Sequence, residues 1–183
     1  MKSVLISIQP KWCELIANGK KTVEVRKTKP KLEPPFKVYI YCTGGPPYLN
    51  SHNGYCYLEE RDVLGYRGTG LYCRLNNGVI GEFVCHDIFP IRVFENGSIQ
   101  DYMGHYMERS LVPYEDIADY IGNDKTGYGW CISDLKIYDH PKKLSEFRAH
   151  DVRTYSDEKG YLMPTHEMTR PPQSWCYVEE GGE

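Results

Sequence analysis

The chain has 183 residues, of which 40% are hydrophobic and 26% charged. That balance fits a single folded domain with a real core and excludes a disordered or low-complexity chain. A net charge of −3 excludes a polycation that coats nucleic acid without selectivity.

Residues 3–8, "SVLISI", form an apolar run that suits a buried strand. "QPKWCELIANG" reads as a helix. Pro10 fits its first turn, Trp12, Leu15 and Ile16 fall at helical spacing, and Gly19 supplies the left-handed residue after it. "TVEVR" alternates as a strand, with Val23 and Val25 on one side and Thr22, Glu24 and Arg26 on the other. "KPKLEPP" is a proline-broken crossing, and "KVYIYC" at 37–42 is a strand. Residues 43–78 are rich in Gly, Asn, Tyr and Pro and read as a long inserted loop.

"GVIGEFVCHDIFPIRVF" reads as one or two strands with Pro90 near a bend. "SLVPYEDIADYIGN" predicts a helix with Tyr114, Ile117, Ala118 and Ile121 on its apolar stripe. "YGWCISDLKIYD" is a strand, "HPKKLSEF" a single helical turn, and 148–169 polar and irregular. "RPPQSWCYV" is a last strand. The boundaries are one domain over 1–178, with an insertion at about 43–78, and a frayed acidic tail over 179–183. The fold class is α+β, a small mixed β-barrel with helices at its mouth and a long insertion after the third strand.

Seven cysteines, an odd number, include no C-x-x-C pair, and six histidines show no H-x-x-x-H spacing. No metal site and no cofactor are expected. The first residues hold only a five-residue apolar run, too short for a signal peptide, and no segment is apolar for long enough to span a membrane. A reduced, cytoplasmic protein is expected.

The charge is uneven. Residues 1–42 hold nine Lys and Arg against three Glu, a surplus of six, which leaves −9 on the remainder. Within that basic quarter, Glu24 and Arg26 lie two apart on a strand, with Cα atoms roughly 6.6 Å apart on one side. Lys21 precedes them at the turn. An ammonium, a carboxylate and a guanidinium around one point offer both donors and acceptors to a nucleobase edge, a phosphate or a polarised carbonyl. As an ordinary surface ion pair they are worth about 0–1 kcal/mol. Glu82 sits in "VIGEFVC", apolar on both sides, so it needs a partner, and the cations at 21–26 are the expected ones.

"GKKTVEVR" resembles the G-x-K-x-x-E-x-R signature of ASCH domains, in the PUA-like superfamily, with Gly19, Lys21, Glu24 and Arg26 matching in turn. The flanking segments, "YGWCISDLKIYDHPKKLSEF" and "RPPQSWCYVEE", resemble small bacterial and prophage-associated members. The resemblance implies a β-barrel whose cleft beside the first helix is lined by those residues, and RNA or a modified nucleoside as ligand. Ser7 and Gln9 would lie at the cleft rim, Tyr128 or Trp130 would stack on a base, and Arg170 would reach in. Some members resemble enzymes: an amidohydrolase acting on N4-acetylcytidine through lysine, threonine and glutamate, or a ribonuclease. Lys21 and Glu82 match the first and last of these, and Glu24 stands where the threonine should be. Lys21, Glu24 and Glu82 are the catalytic candidates if the chain is such an enzyme. A protein-interaction module docking through 43–78 is a third reading.

Overall fold

The computed structural model describes residues 3–44, 77–101, 108–150 and 165–181. Nearly all of the expected insertion at 43–78, and most of 148–169, lie outside the described residues. The elements in chain order are β1 (Ser3–Ile8), α1 (Pro10–Ala17), β2 (Val23–Arg26), β3 (Phe36–Cys42), β4 (Gly78–Val93), β5 (Ile99–Asp101), a 3-10 turn (Glu108–Ser110), α2 (Tyr114–Ile121), β6 (Thr126–Lys142), a second 3-10 turn (Leu144–Glu146), β7 (Phe147–His150), β8 (Thr165–Glu167) and β9 (Trp175–Glu180).

The sheet order is β2-β6-β4-β3-β1-β9-β7-β8, with β5 added to β4. A closed barrel was expected. Among the described residues the pairing is instead an open path whose ends, β2 and β8, do not pair. Those end strands have four and three residues, the short edges that open sheets use to discourage further pairing.

The chain divides into two compact units. One comprises Met1–Glu14, Lys37–Glu82 and Lys136–Glu183, and the other Leu15–Phe36 and Phe83–Leu135. In the first, β1 is buried along its whole length, between β3 in parallel and β9 antiparallel. That placement explains an apolar run with no alternation. Its core gathers Leu5, Tyr39, Tyr41, Val79, Phe147, Ala149, Met168 and Val178.

The second unit packs α2 on strands β2, β4 and β6, burying Val23, Val25, Phe89, Ile91, Val93, Ile117, Ala118, Ile121 and Cys131 together. The helix starts at Tyr114 rather than Ser110, because Pro113 disfavours helical geometry in the residue before it. Its stripe is Ile117, Ala118 and Ile121, while Tyr114 is exposed. The expected bend at Pro90 does not interrupt β4.

Four strands differ from the sequence reading. β5 returns onto β4 through a turn at Asn96-Gly97, where Gly97 has φ +78°. β7 and β8 occupy the two ends of the segment read as irregular. β9 runs on to Glu180, so the first two residues of the supposed acidic tail are strand, and Tyr39 donates a hydrogen bond to Glu180 at 3.0 Å. The described cysteines 13, 42, 85, 131 and 176 are free thiols, and burial pushes Cys85, Cys131 and Cys176 up to about 12, 11 and 12. They act as small hydrophobes. No helix among the described residues is long and apolar enough to cross a membrane.

The glycines of "TGYG" are part of β6. A Cβ on Gly129 would lie 2.2 Å from the Phe89 ring, and one on Gly127 2.5 Å from Ile121. Gly129→Ala is therefore expected to overpack this core and lower stability by about 1–3 kcal/mol, read as a drop in urea midpoint at unchanged slope.

Candidate functional site: a buried Lys-Glu-Arg cluster

The end of α1 aims the chain into the site. Gly19, at φ +69°, donates to the Ile16 carbonyl at 2.8 Å, and Lys20 donates to that of Leu15 at 2.9 Å. These two bonds make a Schellman cap, which needs a left-handed residue and so selects glycine. Lys21 N–H also reaches the Leu15 carbonyl at 2.9 Å, and the chain turns at once into β2.

β2 pairs antiparallel with β6, placing Val23 opposite Cys131, Glu24 opposite Trp130, Val25 opposite Gly129 and Arg26 opposite Tyr128. Because side chains alternate, Val23, Val25 and Cys131 join the core beneath α2. Glu24, Arg26, Tyr128 and Trp130 share the other side. Glu24 is 6% exposed and bridges two cations: its Oε1 lies 3.1 Å from Arg26 and its Oε2 3.4 Å from Lys21 Nζ. Glu24 Oε2 accepts no hydrogen bond among the described residues.

Lys21 is 1% exposed and donates to the Ser110 carbonyl at 2.6 Å. Burial pushes its amine below the ordinary 10.5, against the pull of Glu24, and Arg26 adds to the lowering. The 3-10 turn that supplies Ser110 is fastened to the start of β2. Thr22 N–H donates to the Arg109 carbonyl at 3.0 Å, and Arg109 Nε donates to Thr22 Oγ1 at 2.8 Å.

The structure brings together Lys21, Glu24, Arg26 and Tyr128. Tyr128 is half-buried, with Lys29 Nζ 5.6 Å from its ring centre. Trp130 shares their side, yet it has no exposed surface and meets Phe36 edge-on at 6.0 Å. The stacking surface expected of it is enclosed by that packing.

Glu82, Ser7, Gln9 and Arg170 belong to the other unit. Glu82 has different partners from those expected: it accepts from Tyr138 at 2.6 Å and pairs with Lys37 at 3.3 Å. Glu82 is partly buried, as apolar neighbours on both sides suggest, but the side chains within its reach are Lys37 and Tyr138. Burial raises its carboxyl pKa, but the Tyr138 and Lys37 bonds outweigh that and hold it below the ordinary value. Ser7 donates to the Pro172 carbonyl at 2.6 Å, and Gln9 and Arg170 are exposed. Arg109 and Ser110 were not found from sequence. They lie almost ninety residues from Lys21, and Ser110 acts through its backbone, which no side-chain pattern reveals. No group of three or more His, Cys, Asp or Glu among the described residues is placed to hold a metal ion.

Residues 6–72 match the family model of the ASCH domain. The match includes Gly19, Lys21, Glu24 and Arg26. Among solved structures, the chain is similar to the ASCH protein of Zymomonas mobilis, at 20% identity and TM-score 0.51, covering 78% of this chain and 73% of that one. A single-residue variant of the same protein aligns at 18% identity and TM-score 0.57, covering 97% and 88%. At these identities the likeness extends to the fold alone. No curated protein matches the sequence.

Three outcomes follow for the charged groups. Glu24→Ala leaves Lys21 and Arg26 facing each other in a dry site and is expected to cost about 3–5 kcal/mol, with Glu24→Gln costing less. With its folded pKa lowered, Lys21 binds fewer protons in the folded than in the unfolded state, so stability rises with pH between that lowered value and 10.5. Lys21→Met should abolish this rise in urea titrations at stepped pH. At half-buried Glu82, Glu82→Ala should cost about 1–2 kcal/mol. Its lowered pKa makes that contribution present above pH 4.5 and lost as pH falls through the folded value, so wild type and variant should converge in acid.

Proposed function

We propose that the chain binds RNA or a modified nucleoside at the Glu24–Arg26–Tyr128 side of β2 and β6. The observation that carries this reading is the buried Glu24 oxygen without a hydrogen bond, set between two cations and beside a half-open tyrosine. Glu24 accepts from a base amino group, Lys21 donates to a carbonyl or phosphate oxygen, and Arg26 takes phosphate. Tyr128 stacks on the base, at about 1–3 kcal/mol. Exposed Lys27, Lys29 and Lys31 add positive charge next to Arg26. The ASCH match at 6–72 supports the same ligand class, and we place the protein in the cytoplasm.

Hydrolysis of an amide or phosphodiester is the second reading, favoured by the lowered pKa of Lys21. What weighs against it is that Glu24, the candidate base, is already engaged by Lys21 at 3.4 Å and Arg26 at 3.1 Å.

If about three phosphates are engaged, the logarithm of affinity for a short single-stranded RNA should fall with that of salt concentration at a slope of roughly −2. A flat response with binding intact would remove phosphate contact from the reading. Incubation with N4-acetylcytidine should give binding with slow or no deacylation by chromatography. Fast turnover lost in both Lys21→Ala and Glu24→Ala would make the protein a hydrolase.

A further inference from the structure

The role given to Lys21 conflicts with its surroundings. Its side chain and Ser110 are buried to 1% and 0% exposure, and its Nζ already donates to the Ser110 carbonyl at 2.6 Å. At 1% exposure that amine meets a ligand oxygen only if a neighbouring group moves, and the Ser110 carbonyl is its hydrogen-bonded neighbour.

The turn carrying that oxygen holds a strained residue. Leu111, immediately after it, has φ +56°, a left-handed conformation that leucine rarely adopts, and its side chain is exposed. The Ser110 hydroxyl accepts from Val112 N–H at 3.2 Å, a short-range bond within the turn. Two bonds between Arg109 and Thr22 help to fasten it to β2, one of them donated by an exposed guanidinium.

We propose that the 108–112 turn is an autoinhibitory plug, whose Ser110 carbonyl mimics the ligand and must swing away before a nucleobase engages Lys21 and Glu24. The inference rests on the nucleoside-binding reading and adds its regulation. A base edge with adjacent acceptor and donor, such as the N3 and N4-amino group of cytosine, replaces the Ser110 oxygen at Lys21 and supplies a hydrogen-bond donor to Glu24 Oε2 beside its ion pair with Lys21. Arg109 is a positioning residue that sets the fraction of open molecules, and closure weakens apparent affinity by that fraction.

The test uses the full chain, with cytidine as the probe. Lys21 accessibility is read by acetylation with an activated acetate ester and peptide mass spectrometry, with exposed Lys20 as reference. Arg109→Ala and Thr22→Val, two changes that leave the core intact, should each raise Lys21 acetylation about tenfold relative to Lys20 and tighten cytidine binding by a similar factor. Unchanged acetylation in both variants overturns the plug, and so does faster acetylation without tighter binding while the wild type binds cytidine. Absence of cytidine binding in all three proteins overturns the nucleoside reading and the plug together.

Discussion

A carboxylate buried between two cations needs all three charges at once. Glu24 touches Arg26 at one oxygen and Lys21 at the other, and each member is dry or nearly so. Apolar residues of similar volume would stabilise such a site at least as well. What the charges provide instead is a fixed strand position. A slip of β2 by one residue would drive Glu24 into the core beneath α2 and turn Val23 and Val25 toward the charged side. The four residues of β2 make few backbone bonds, so this penalty against slippage supplies much of the definition of the edge.

The same strand links the core to the binding side. Val23 and Val25 pack against Ile117, Ala118 and Ile121, while Glu24 and Arg26 between them face the other way. Phe89 fills the space above Gly129, and Phe36 meets Trp130 from its own side. Tyr128 is thus held on a strand with packing on both sides, which suits a rigid stacking surface.

Local patterns in the sequence identified β1, both helices, the alternation of β2 and the Schellman glycine, because each depends on neighbours within a few residues. The Lys21–Glu24–Arg26 grouping was legible for the same reason. Long-range geometry was not. Trp130 sits two residues from Tyr128 on the same side, and only its packing against Phe36 distinguishes a buried ring from a half-open one. Glu82 lies in an apolar stretch, yet the reach of Lys37 and Tyr138 decides its partners. β5, β7 and β8 are three or four residues long, too short for a period to emerge. Sheet closure depends on how the end strands meet, and strand patterns do not encode that.

The position of β1 has a consequence for synthesis. It lies between β3, which leaves the ribosome soon after it, and β9, made of Trp175–Glu180. Between the synthesis of β3 and that of β9, one backbone edge of "SVLISI" therefore has no strand beside it. Such an edge, apolar on both sides, is an invitation to other nascent chains. The order of manufacture thus makes the arrival of β9 the step that seals the first strand.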